Sequence, residues 1–246
     1  MAWGRRARRP VYKRYLGRAA KSISAPVDLP LFVLSPSERL ETLRIARHAV
    51  ALALGSTGGE GVAPSEPRAA VFREKRGVFV TVKRYPGDDL RGCIGYPMPI
   101  LPLGTAVERA AVAAALDDPR FPPIRASELS RITLEVSVLT VPEAIPAARP
   151  EDLIAAVEVG RDGLIVDGFG TSGILLPQVA PEQSWTAEQF LAGTCEKAGL
   201  PSDSWRRPGV SFRRFQAEVF REGSPGGELI DEPPPTTRAA RPARRK

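Results

Sequence analysis

Apolar residues recur every three or four positions in four stretches of the chain, which is the spacing of a helix with one buried face. The longest stretch is residues 36–54, where a proline stands in the first turn and Gly55 ends the pattern. Residues 105–116 are rich in alanine, which allows close packing against a sheet. The same spacing predicts a helix at 186–198, and acidic residues in a first turn favour a short helix at 150–156.

Strands are predicted where apolar residues run together or alternate with polar ones. Residues 78–82 and 90–96 flank the turn sequence Pro86-Gly87-Asp88-Asp89, so we expect an antiparallel hairpin. Residues 132–139 alternate and predict a half-buried strand, with Glu135 on its polar face. There Glu135 is either solvated or faces the cleft as a carboxylate partner for Arg91.

The second half of the chain predicts further β-structure. Three short apolar segments between residues 157 and 176 are separated by Gly and Asp turns, which favours a small antiparallel meander. Residues 212–220 alternate and predict one last strand. The glycine-rich segment 168–173 does not join a strand to a helix at the required spacing, so it is not a nucleotide-binding fingerprint.

Composition excludes several classes of protein. No apolar run approaches the roughly 20 residues that span a bilayer, and the first residues contain arginines but no apolar segment before a small-residue cleavage site, so we expect a soluble, cytoplasmic protein. The two cysteines are about 100 positions apart and give no paired zinc pattern, although a Cys93–Cys195 disulfide stays open. With His48 alone and no asparagine, a Cys-His-Asn protease site has no support.

The net charge of +7 belongs to the ends of the chain. Residues 1–30 carry +7 and residues 231–246 carry +3, so the residues between them carry −3. We therefore predict a basic flexible arm at 1–30, a domain at 31–223 and a disordered Pro/Arg-rich tail at 224–246. Such tails either contact nucleic acid non-specifically or are merely solvated. Absent asparagine and abundant arginine fit a thermophile or GC-rich coding.

The sequence Leu90-Arg91-Gly92-Cys93-Ile94-Gly95 is the most distinctive candidate site. In an extended strand, Arg91 and Cys93 lie on one face, and an arginine beside a thiol lowers the pKa of the thiol. The two glycines leave room for the close approach of a ligand or another backbone. The alternative is that Cys93 is a small buried apolar residue and that the glycines form a bulge.

Together with the apolar run before it, this motif resembles the signature of the AMMECR family. Further pieces fit the family in order over residues 36–222, at residues 118–123, 135–139, 160–164, 175–179, 185 and 195–200. The resemblance implies an α+β fold, with an antiparallel sheet flanked by helices, a second, smaller lobe, and a cleft between the lobes. It also implies a modification pathway shared with Memo-like and radical SAM partner proteins.

The resulting hypothesis is a ligand-binding or catalytic cleft with Cys93 as the candidate catalytic residue and no metal or cofactor. The candidate ligand-binding residues are Arg91, Gly92, Gly95, Asp118, Arg120, Glu135 and Gln178. Asp118 and Arg120 either pair with each other or border the cleft. Cys195 has helical spacing with Leu191 and is expected in the core. The alternative hypothesis is a non-catalytic RNA-associated regulator or adaptor, because no triad, metal set or phosphate loop is present in the sequence.

Overall fold

A computed structural model describes residues 33–56 and 69–231 of the chain. The predicted basic arm at 1–30 and most of the predicted C-terminal tail lie outside the described residues. The described residues belong to one compact unit that extends from Val33. None of their helices combines the length and the apolar character needed to cross a membrane.

The described residues contain helices and antiparallel strands, which confirms the predicted α+β class. The helices are α1 (Pro36–Ala53), α2 (Leu103–Leu116), α3 (Pro150–Ala156), α4 (Val179–Glu182) and α5 (Ala187–Lys197). The strands are β1 (Gly77–Arg84), β2 (Leu90–Tyr96), β3 (Ile132–Leu139), β4 (Glu143–Ala144), β5 (Gly163–Gly168), β6 (Thr171–Leu175), β7 (Val210–Phe215), β8 (Ala217–Glu222) and β9 (Leu229–Asp231). Short 3₁₀ turns at 70–73, 126–131 and 202–206 join them.

The first sheet has five strands in the order β2-β1-β3-β8-β9, and every neighbouring pair is antiparallel. Helix α2 lies against β1 and β2, and its alanines allow the backbones to come close. The side chains of Val78, Val80 and Val82 are completely buried. This close packing fixes β2, and with it the cysteine motif, against the C-terminal half of α2.

The second sheet has four strands in the order β4-β7-β5-β6. One face packs against α3 and α5 through a core that includes Leu164, Val166, Phe190 and Phe212. A second apolar cluster joins the two sheets; its members are Leu139, Ile165 and Phe215, with the partly buried Phe79, Met98, Ile174, Leu176 and Ala217. The second sheet therefore covers part of the first.

All four predicted helices are present, and side chains cap the two with the clearest start signals. Ser35 and Glu38 form a reciprocal capping box at α1, and Thr186 and Gln189 form another at α5. Each box satisfies backbone N–H groups that have no partner inside the helix. The predicted hairpin and the strand at 132–139 are also present.

Three predictions of secondary structure were wrong. The single strand predicted at 212–220 is two strands, β7 and β8, which belong to different sheets and separate at Gln216. Residues 157–160 form a turn region rather than a strand, because the Asp162 carboxylate accepts the N–H of Glu158 at 2.9 Å. Strand β9 lies in the segment predicted to be a disordered tail, where it pairs with β8.

Candidate functional site

Four polar or reactive side chains stand in one row across the first sheet. The strand register places Cys93 opposite Thr81, Thr81 opposite Glu135, and Glu135 opposite Arg221. Directly opposed residues on neighbouring antiparallel strands carry their side chains on the same face. A thiol, a hydroxyl, a carboxylate and a guanidinium group therefore form a continuous polar row, which runs from the edge strand β2 to β8.

This polar row lies on the face of the sheet that is turned away from α2. A Cβ atom added to Gly92 would lie 2.0 Å from the carbonyl oxygen of Ala114, so Gly92 faces α2. Successive residues of a strand point to opposite faces. Cys93 therefore points away from the helix, to the same side as Thr81 and Glu135.

Cys93 is a half-buried residue, and its thiol forms no disulfide. Thr81 Oγ1 donates a hydrogen bond to its Sγ atom at 3.3 Å. Burial raises the pKa of the Cys93 thiol above its ordinary value, and this effect outweighs the hydrogen bond from Thr81 and the positive charge of Arg120, both of which lower the pKa. The expectation that Arg91 gives this thiol a lowered pKa was therefore wrong: the arginine that acts on it is Arg120, burial outweighs that charge, and the thiol is protonated near neutral pH.

Asp118 and Arg120 hold the outer edge of β2 at Cys93. The backbone N–H of Cys93 donates to Asp118 Oδ2 at 2.8 Å, and Arg120 Nη2 donates to the carbonyl oxygen of Cys93 at 3.4 Å. Burial opposes ionisation of Asp118, but the hydrogen bonds from Arg120 and from Cys93 outweigh it and lower the pKa of Asp118 to about 2. The pair thus takes the place of a neighbouring strand along this edge.

Two ion pairs cover the rest of the polar row. Lys83 Nζ lies 2.6 Å from Glu135 Oε2, and Arg221 Nη1 lies 3.0 Å from Asp88 Oδ1 in the β1–β2 turn. The side chain of Glu135 is only 8% exposed. Both interpretations made from sequence were therefore wrong, because Glu135 is buried and its cationic partner is Lys83, whereas Arg91 pairs with Glu128.

An apolar surface borders the polar row on the side of the second sheet. Phe79 lies two residues before Thr81 on β1, so both side chains are on the same face. Phe79 and Met98 belong to the apolar cluster that joins the two sheets. A molecule bound at Cys93 would thus meet polar groups on one side and hydrocarbon on the other.

Arg91 does not line this polar row. Its side chain is 3% exposed; Nε donates to Glu128 Oε1 at 3.1 Å, and Nη1 donates to the carbonyl oxygen of Pro122 at 2.7 Å. The register of β1 and β2 is irregular between Val82 and Lys83, which leaves Arg91 without a partner on β1. The cation that acts on the Cys93 thiol is therefore Arg120, and Arg91 anchors the segment between α2 and β3.

The protein itself makes the close approach expected at both glycines. Gly92 faces the backbone of α2, and a Cβ on Gly95 would lie 2.4 Å from both the Phe79 ring and the Val78 carbonyl oxygen. Neither glycine is thus explained by a ligand.

Gln178 lies at the start of α4, and its side chain makes no hydrogen bond to the polar row within the described residues.

Three further features considered from the sequence are a disulfide, the location of Cys195 and a metal site. Both cysteines are free, so the disulfide that the sequence left open is absent. Cys195 is completely buried among the core residues of α5, as expected from its spacing. No group of three or more potential metal-ligating side chains occurs within residues 33–56 and 69–231.

Sequence reasoning missed Thr81, Lys83, Asp88 and Arg221. Thr81, Lys83 and Asp88 lie in or next to the predicted hairpin. The alternation of faces along its strands was the signal that could have placed them beside Cys93. That signal fails because the register changes by one residue near the turn. Arg221 comes from β8, and no local pattern links it to the hairpin.

Fold and site together define an α+β protein with a cysteine-centred polar row beside a junction of two sheets. The chain belongs to the AMMECR1 family, whose model matches residues 43–220. This match confirms the resemblance that the motifs indicated.

Archaeal proteins are similar to this chain over most of its length. Protein MJ0810 of Methanocaldococcus jannaschii is 49% identical over 162 residues, which cover 66% of this chain and 81% of that protein. A protein of Thermofilum pendens is 45% identical over 206 residues, which cover 80% of this chain and 96% of that protein. The crystal structure of uncharacterized protein PH0010 from Pyrococcus horikoshii superposes with a TM-score of 0.70 at 46% identity, covering 78% of this chain and 95% of the other.

Proposed function

We propose that the protein binds a small molecule on the polar row and that Cys93 is the group that reacts with it. The observation that carries this proposal is the register that aligns Cys93, Thr81 and Glu135 on one face of three adjacent strands. A half-buried cysteine whose pKa is shifted and whose neighbours are charged is a candidate for a functional site.

The raised pKa gives Cys93 a defined resting state. The thiol is protonated near neutral pH, so it reacts slowly with oxidants and with stray electrophiles. The reaction begins when the thiol loses its proton to solvent. The sulfur lone pair then forms a bond to an electrophilic carbon of the ligand, and the electron pair of the bond that breaks at that carbon moves onto the ligand's double-bonded atom or its leaving group.

The surroundings of the row indicate the kind of molecule that fits. Ion pairs and hydrogen-bonding groups lie on one side, and Phe79 and Met98 lie on the other. Binding sites of small molecules combine an apolar wall with a few placed polar groups in this way. The family resemblance suggests that the molecule belongs to a modification pathway with Memo-like and radical SAM partner proteins.

Crystals of the full chain soaked with a mixture of cellular metabolites test the proposal. We expect density in contact with Cys93 in the wild type and loss of any covalent adduct in Cys93→Ser. Cys195→Ser is the matched control, because that cysteine is completely buried. The proposal fails if no compound binds at the row and if Cys93→Ser restores the growth of a deletion strain as well as the wild type does.

The second candidate function is a non-catalytic, RNA-associated module. It is favoured by the location of the positive charge, since residues 1–30 carry +7 and residues 231–246 carry +3 while the rest is acidic. Binding to a fluorescent RNA should then weaken with salt and vanish on removal of both ends. Under this hypothesis Cys93→Ser leaves RNA binding and growth unchanged.

A further inference from the structure

We infer that Arg120 holds the carboxylate of the bound molecule, so that the substrate class is a small electrophile with a single carboxylate. The inference rests on the proposed function, because it concerns the ligand of the same site. Arg120 is half-exposed at the end of the polar row, next to the backbone of Cys93.

Asp118 fixes the orientation of the Arg120 guanidinium group. Nε donates to Oδ1 at 2.9 Å and Nη2 donates to Oδ2 at 2.6 Å, while the Phe121 ring centroid lies 5.4 Å from the guanidinium carbon. These contacts leave Nη1 without a hydrogen bond to any described residue. Two N–H groups in a fixed direction are thus open to a carboxylate oxygen.

Exposure differs sharply between the two members of this ion pair. The side chain of Arg120 is 54% exposed, whereas that of Asp118 is 2% exposed. A ligand that arrives from solvent therefore meets the cation and not the carboxylate. The field of Arg120 also reaches the reacting atom, since its charge lowers the pKa of Cys93 against the effect of burial.

The number of open donors on Arg120 indicates the charge of the ligand. Glu135 pairs with Lys83, and Asp118 pairs with Arg120 through Nε and Nη2, so each buried carboxylate already has a cation. Only Nη1 of Arg120 then remains to bind a ligand, and one carboxylate group is the anion that a single guanidinium nitrogen accepts.

Two alkylating reagents of nearly equal size isolate the effect of ligand charge. Iodoacetate carries one carboxylate and iodoacetamide is neutral. In both reactions the Cys93 proton goes to solvent, the sulfur forms a bond to the methylene carbon, and iodide leaves with the electrons of the broken C–I bond. The ratio of the two rates at Cys93 cancels the fraction of thiolate, so it reports charge preference alone.

The ratio is measured by peptide mass spectrometry on the full chain, as wild type, Arg120→Gln and Arg206→Gln. Arg206 is a matched control, because it is 48% exposed, pairs with Glu188 and stacks on Trp205 with its guanidinium carbon 4.0 Å from the ring centroid. We expect Arg120→Gln to lower the iodoacetate-to-iodoacetamide ratio about three- to tenfold, and Arg206→Gln to leave it unchanged.

An unchanged ratio in Arg120→Gln overturns the inference. The proposed function then survives, provided that Cys93 still reacts with iodoacetamide. Failure of Cys93 to react with either reagent in the native wild type contradicts the proposed function instead. If Arg120→Gln does not fold, the wild type alone decides, because the ratio must fall as salt rises from low to physiological ionic strength and a constant ratio refutes the role of Arg120.

Discussion

Thr81 and Cys93 lie directly opposite each other on β1 and β2, and the Thr81 hydroxyl donates a hydrogen bond to the Cys93 sulfur at 3.3 Å. Because the strands hold both backbones, this contact is part of the sheet and not of a loose surface. It lowers the pKa of a thiol that burial raises. Thr81 therefore controls how readily Cys93 becomes a thiolate.

Thr81→Val tests this control, since valine keeps the shape and the β-branch but lacks the hydroxyl group. We expect the pKa of Cys93 to rise further, and its rate of reaction with iodoacetamide at pH 8 to fall about three- to tenfold. Thr171→Val, which removes a hydroxyl group bonded to the Gly168 carbonyl oxygen, is the control. Equal Cys93 rates in wild type and Thr81→Val would show that the hydrogen bond has no effect on the thiol.

Asp118→Asn should destabilise the protein by about 2 kcal/mol at pH 7, because the ionised carboxylate accepts bonds from Cys93 and Arg120. The pKa of Asp118 is lowered to about 2. Its stabilising contribution is therefore complete above the unfolded pKa near 4 and is lost as pH falls through about 2. Urea unfolding measures the free energies of wild type and variant at several pH values.

The difference between the two proteins should shrink as pH falls from about 4 to 2. Asp203→Asn is the control, because Asp203 pairs with Arg207 at the exposed surface, where solvent screens the interaction. A constant difference from pH 7 to pH 2 would contradict the role assigned to the Asp118 carboxylate.

Cys195 predicts a loss of stability in alkali. Burial raises the pKa of its thiol to about 11, whereas the unfolded chain releases that proton nearer pH 9. The folded state therefore holds the proton more tightly, and the stabilisation present below pH 9 is lost as pH rises through about 11, by about 2 to 3 kcal/mol.

The free energy of unfolding of Cys195→Ala should be less steep over this range than that of the wild type. Leu191→Ala removes another completely buried side chain of α5 and is the matched control. It should lower stability by a similar amount at every pH, because leucine does not titrate. Equal alkaline slopes for Cys195→Ala and the wild type would refute the assignment.

Gly92→Ala tests the contact that sets the direction of Cys93. The new Cβ would lie 2.0 Å from the Ala114 carbonyl oxygen, which is backbone and can move only with α2. We expect a destabilisation of about 3 kcal/mol or more in thermal or urea unfolding.

Two further variants serve as controls for Gly92→Ala. Adding Ala114→Gly should not restore stability, because the clash is with the backbone of residue 114 and not with its side chain. Gly87→Ala is the control, since its nearest neighbour is the flexible end of Asp89. A native-like stability of Gly92→Ala would mean that β2 is not held against α2 as described.

Local spacing was sufficient to predict the helices and the hairpin, but not the pairing inside the hairpin. If the pairing of Lys83 with Leu90 continued along the strands without a shift, Thr81 would lie opposite Gly92. The irregularity next to Lys83 shifts the pairing by one residue and places Thr81 opposite Cys93. A shift of one residue reverses the faces of a strand, and nothing in the local sequence fixes it.

Distant contacts explain the other differences between prediction and structure. Arg91 is buried by groups 31 to 37 residues away, which its strand pattern does not reveal. At Gln216 the chain passes from one sheet to the other, where its N–H bonds to Thr140 Oγ1. The alternation of residue types in 212–220 continues through this point and therefore does not mark the change of sheet. The family motif identified Cys93, Asp118 and Arg120 together, but only the fold shows what each of them contacts.

Site-resolved alkylation of the native full chain tests the central claim most directly. With iodoacetamide at pH 8.5, we expect Cys93 to react in the folded protein at least about 100-fold faster than Cys195, which becomes accessible only when the core opens. A Cys93 that reacts only at the rate of global unfolding, together with Cys195, would contradict a reactive site on this sheet face.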